Sequence, residues 1–292
     1  MSTVYANRLF PRAIALEWVP VLTGLLLLYV PTFYGLAHTL WQDDEQGHGP
    51  LILLVIIWLF WEQRGVLIKP AERTAPVAGY LALVFGLLVY ALGRSQDITL
   101  LETGSLAPVL AGTLLVARGW AAIRALWFPL LFIVFLLPLP GMVIDAITLP
   151  LKQAVSDIVE RLLYTAGFPI ARNGVVLMIG QYQLLVADAC SGLNSMFSLS
   201  ALGVLYLYLM RSPSWWHNGM LIASILPIAF AANIIRVIVL VLLTYYLGDE
   251  AGQGFLHEFS GMMLFIIALS GLFLFDRVLR LAGALMPGTQ KP

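Results

Sequence analysis

The stretch Met220–Leu247, reading MLIASILPIAFAANIIRVIVLVLLTYYL, decides the fold class. It carries a single charge, Arg236, in a run longer than the roughly 20 apolar residues that a bilayer-crossing helix needs. Its apolar residues do not alternate with polar ones. A transmembrane β-strand would show about ten alternating residues, so the run reads as helix and not as barrel. The rest of the chain agrees. Of 292 residues, 60% are hydrophobic and 11% charged, with a mean hydropathy of +0.90. A soluble domain averages about 25% charged residues. These values exclude an ordinary cytosolic enzyme and a disordered chain. The 16 basic and 16 acidic residues cancel, so no bulk field draws nucleic acid.

Working outward gives seven more spans, eight in all. They run Ala13–Leu36, Pro50–Trp61, Pro76–Leu92, Ser105–Ala117, Ala125–Thr148, Leu193–Met210, then Met220–Leu247 and Phe259–Leu279. Pro129, Pro138 and Pro140 make the fifth irregular. The expected fold is an all-α polytopic bundle forming one domain over residues 1–292. The first apolar run is too long for a cleavable signal peptide and reads as a retained helix. With the N-terminus inside, eleven of the basic residues fall on inner segments, among them Arg64, Lys69, Arg73, Arg118 and Arg124. Only Arg94, Lys152, Arg161 and Arg172 fall outside. That bias orients both termini to the cytoplasm.

The outer segment Pro150–Ala189 is different. Leu151, Val155, Ile158, Val159, Leu162 and Leu163 recur at helical spacing, opposite Lys152, Asp157, Glu160 and Arg161. An amphipathic helix at the outer interface is expected. Residues 174–186 are short and β-branched around Gly180-Gln181, which predicts a hairpin. It would deliver Asp188-Ala189-Cys190 to the outer mouth of the sixth span.

Three residues could carry chemistry there. Cys190 is the chain's one cysteine, so no internal disulfide exists. A lone cysteine is usually a small buried hydrophobe. This one directly precedes a predicted helix, where the positive end of the dipole lowers a thiol's pKa. Ser191 is an alternative nucleophile that would need a base. Arg236 is the clearest charge inside a span; it is either a structural cation or a functional one. His257 sits at the outer start of the eighth span. His38 and His48 also lie outside, whereas His217 lies inside and cannot meet Cys190. Cysteine, histidine and a cation together form an acyl-transfer set. A transporter and a membrane acyltransferase are the competing readings. No metal-ligand spacing and no cofactor motif is present.

At these positions the chain resembles the exosortases. The likeness rests on Ala189-Cys190-Ser191-Gly192-Leu193, on Ala232-Asn233-Ile234-Ile235-Arg236-Val237, on His257 followed by Gly261, and on Gln46-Gly47-His48-Gly49. The resemblance implies Cys190, Arg236 and His257 as the catalytic set, with Asp188, Ser191, Asn194, Asn233 and His48 in support. It implies a membrane cysteine transpeptidase or protease acting on exported proteins. Their C-terminal sorting signal would carry a Pro-Glu-Pro motif, a transmembrane helix and a basic tail. It implies the inner membrane of exopolysaccharide-making bacteria, with the site facing the periplasm. The resemblance leans towards the B-type group, and archaeosortases share the pattern.

Overall fold

The computed structural model describes residues 10–42, 47–69, 73–138, 140–185, 192–210, 214–248, 250, 252 and 255–285. The chain divides into two compact units, 1–140 and 141–292.

The first unit holds α1 (Phe10–His38), α2 (Gly49–Glu62), α3 (Arg64–Ile68), α4 (Pro76–Ser95), α5 (Thr99–Gly104), α6 (Leu106–Arg118), α7 (Trp120–Ala125) and α8 (Trp127–Phe132). Helix α4 packs along α6 through glycines. Gly79, Gly86 and Gly93 recur every seven residues and are all buried. A Cβ on Gly86 would press on the backbone nitrogen of Val109, and one on Gly112 on that of Leu83. Small residues let backbones approach where lipid offers no hydrophobic drive. Large apolar residues of α4, such as Leu81, Val84 and Leu88, are exposed on its other side.

The second unit holds α9 (Gly141–Thr165), strands β1 (Ile170–Asn173), β2 (Val176–Ile179) and β3 (Tyr182–Leu185), then α10 (Gly192–Met210), α11 (Trp215–Leu247) and α12 (Phe255–Leu285). Helices α10, α11 and α12 pack pairwise.

The protein is a helical, multi-pass membrane protein. Among the described residues, four helices are long and apolar enough to cross a membrane: Glu17–His38, Pro76–Ser95, Thr99–Arg118 and Trp215–Leu247. Gly49–Glu62, Trp127–Leu136 and Phe197–Met210 are apolar but shorter.

Two expectations need correction. The fifth span is not one helix. It breaks into α8, a 3-10 turn at Ile133–Leu136 and the start of α9, and the chain is extended at Leu137 before Pro138. Proline disfavours helical backbone in the residue before it, which accounts for the stop. The amphipathic stretch is not a separate helix either, but the C-terminal part of the 25-residue α9. Its apolar stripe is turned into the protein. Val155, Val159 and Leu163 join Ile170, Leu177, Ile179 and Leu184 of the sheet, and Val237 and Val241 of α11, in one core. Residues Val176–Ile179 and Tyr182–Leu185 pair antiparallel about Gly180-Gln181, and β1 adds a third strand in the order β1-β2-β3.

Candidate active site

Helix α11 organises the second unit. Its buried residues are Leu221, Ile225, Ala229, Ala232, Asn233, Arg236, Val237, Leu240, Val241 and Thr244. They recur every three to four positions, a single protein-facing stripe. Ile222, Leu226 and Ile235 lie off it and are exposed. Arg236 therefore points into protein, at 3% exposure, one turn from the fully buried Asn233. The lower stripe is purely apolar, and the polar members gather towards the C-terminal end.

Two glycines set the register of the neighbouring helices. A Cβ on Gly203 of α10 would stand 2.9 Å from Ile225, and one on Gly271 of α12 would stand 3.1 Å from Ile228. Arg236 lies eleven residues beyond Ile225 and eight beyond Ile228, about 16 and 12 Å at 1.5 Å per residue. Counting back equally along the antiparallel neighbours reaches Gly192 on α10 and Met263 on α12. His257 is six residues further, about 9 Å, in the first turn of α12. The start of α10, Arg236 and the start of α12 thus lie towards the same end of the three helices. Asp188, Cys190 and Ser191 lie outside the described residues. Asn194 and His257 have described helical backbone, and their side chains lie outside the description.

The sheet caps this end of α11. Phe168 meets Tyr245 edge-on at 5.6 Å, and Gly180, at φ +57°, packs beside the Tyr245 ring. A substituted residue would be strained there, so glycine fits the turn. Ile170, Arg172, Leu177, Ile179, Tyr182 and Leu184 share the inward face by pairing register. Arg172 donates to Glu160 at 3.0 Å and to Asp157 at 3.2 Å, while Arg161 also pairs with Asp157. These arginines already hold carboxylates of α9.

The other histidines have separate roles. His38 Nδ1 lies 2.9 Å from the Tyr34 carbonyl. His48 precedes α2 in the first unit; burial lowers its pKa from the ordinary 6.5. The indole of Trp41 covers the following Gly49 so closely that no Cβ fits, which explains the small residue in Gly47-His48-Gly49.

Two buried carboxylates escaped the sequence, which showed Arg236 as the one clear charge within a span. Asp276 of α12, 3% exposed, is met at Oδ1 by His217 Nε2 at 2.6 Å. Its Oδ2 accepts from Tyr206 at 2.9 Å and from Arg280 at 3.0 Å. One carboxylate thereby joins α10, α11 and α12 at the end away from Arg236. Glu102, 5% exposed, lies in the first unit; it accepts from Thr32 at 2.8 Å and stands 3.6 Å from Arg94. The signal for both was present, a carboxylate beside a long apolar run. Neighbouring arginines made each look interfacial. Glu17 of α1 is exposed and pairs with Arg118 at 3.1 Å.

A polytopic helical protein with a buried arginine near the N-termini of two flanking helices defines a class, membrane proteins with a polar centre inside a helical unit. The family follows from comparison. The family model described as transmembrane exosortase (Exosortase_EpsH) matches residues 40–274, and the chain belongs to that family. No curated protein and no solved structure matches.

Proposed function

We propose that the protein is a membrane cysteine transpeptidase or protease that processes C-terminal sorting signals at the outer leaflet. The observation that carries this is the burial of Arg236 on the protein-facing stripe, towards the end where α10 and α12 begin. The whole chain, with eight spans and both termini cytoplasmic, would act as one domain in the bacterial inner membrane. The substrate's own transmembrane helix would hold its Pro-Glu-Pro motif at the periplasmic face.

Cys190 as thiolate attacks the scissile carbonyl, forming a C–S bond. Arg236 stabilises the oxyanion, where low dielectric strengthens the attraction. Collapse breaks the C–N bond, and His257, as acid, protonates the leaving amine. An incoming nucleophile gives its proton to His257 and attacks the thioester; its bond to the acyl carbon forms as the C–S bond breaks, which regenerates the thiolate. Asp188, Ser191, Asn194, Asn233 and His48 would support this set.

Intact-mass measurement on protein trapped with substrate tests it. A peptidyl adduct of the expected mass on Cys190 is expected. A lipid acyl adduct there, or full substrate processing by Cys190→Ala, would overturn it.

A further inference from the structure

The two edges of the small sheet differ. The edge of β1 is guarded. Pro169 precedes the strand, Arg172 within it is tied to Asp157 and Glu160, and α9 packs against it. The strand β3 carries neither a proline nor a tied charge, although α11 packs against it as α9 packs against β1. Tyr182-Gln183-Leu184-Leu185 holds no charge and no proline, and among the described residues no strand pairs with its far side. Folded proteins blunt exposed edges with charge, proline or cover, because an open edge templates strand addition.

The register says which groups are open. Ile179 pairs with Tyr182 across the two-residue turn and Leu177 with Leu184. In a two-residue hairpin the closing pair exchanges hydrogen bonds, and the pattern then alternates. Tyr182 and Leu184 therefore bond to β2. The N–H and C=O groups of Gln183 and Leu185 face the open edge. Their side chains are exposed on the outer face, Leu185 at 40%. The inward face is fixed by Leu184 in the core, so the strand cannot slip to hide this edge. Cys190 follows Leu185 by five residues, a reach of at most about 17 Å.

We propose that β3 is a docking edge for an extended peptide, which adds as a fourth strand through the main-chain groups of Gln183 and Leu185. This rests on the proposed function for its occupant, the substrate segment at the scissile bond. Only another extended backbone meets an alternating row of donors and acceptors in full. The edge aligns the substrate main chain whatever its side chains.

Binding is measured with full-length Cys190→Ala protein in nanodiscs and a fluorescent synthetic peptide of fifteen residues containing Pro-Glu-Pro. Single N-methyl groups are placed along its backbone amides. Loss of affinity by about tenfold at alternate amides, with little change between them, is expected. No binding, or equal effects at every amide, overturns the edge. A second arm uses the active chain. Gln183→Pro removes a donor that β2 does not use, and should lower kcat/KM about tenfold while the rate of Cys190 alkylation stays constant. Gln183→Ala keeps that donor, so its kcat/KM should fall much less than that of Gln183→Pro; an equal fall in the two variants overturns the main-chain contact. Processing by Gln183→Pro at the wild-type rate removes the docking edge and leaves the cysteine chemistry standing. An alternating N-methyl pattern with no turnover by the wild-type chain does the reverse.

Discussion

The two ends of the α10–α11–α12 unit bury charges of opposite sign, Asp276 and Arg236, each at 3% exposure. At one end Asp276 is saturated: both oxygens are occupied by Tyr206, His217 and Arg280, from three helices. At the other, Arg236 shares its stripe with Asn233 and Thr244 beneath a small sheet, beside the starts of two helices. A carboxylate whose lone pairs are filled from three helices is a fastener. A guanidinium has five donors in a rigid fork, and so can serve a reacting group.

The largest effect expected is at Cys190. Cys190→Ala should reduce processing of a co-expressed signal-bearing protein below detection, with expression unchanged on an immunoblot. Retained processing would make both ends structural. Next comes Arg236→Lys, which keeps the charge and loses the fork. A drop of about 10²–10³ in kcat is expected, the scale of removing one oxyanion donor. KM should move much less. A variant at wild-type rate would move Arg236 to the same category as Asp276.

Asp276→Ala should do the converse. It strands buried donors of Tyr206 and His217, so a loss of about 1–3 kcal/mol is expected, read as a lower Tm in detergent. The rate per folded molecule should hold. A rate loss as deep as that of Arg236→Lys would erase the distinction between the ends.

The smallest effect concerns His48, a polar residue at a helix start in the other unit. Burial lowers its folded pKa below the ordinary 6.5, so the unfolded chain binds its proton first as pH falls. The stabilisation is present above pH 6.5 and is lost as pH falls through the folded value. His48→Gln should flatten that part of the Tm–pH profile. An unchanged profile would free His48 from a structural role and strengthen its case as a supporting residue.

Much of the fold was legible from hydropathy. The third span was predicted to begin at Pro76 and the seventh to end at Leu247, and both helices do so. Proline and glycine punctuate these ends, and punctuation is local. The fifth span failed because an apolar run says nothing about whether its backbone stays helical across proline. The buried face of α9 was visible as a stripe, but what covers a stripe is tertiary information. Arg236 stood out because no other charge interrupts its helix. Asp276 did not, because Tyr206 and His217 lie 70 and 59 residues away in sequence.

The glycine seam between α4 and α6 has a consequence for assembly. Contact at backbone distance leaves no gap for an acyl chain, so the two helices meet lipid as one thick stave. A side chain at Gly86 would act as a wedge driven along its grain. The stave seats the side chains of Leu83, Val109 and Val116 against glycine and turns Leu81, Val84 and Leu88 outward, and so it can be laid into the bilayer already joined.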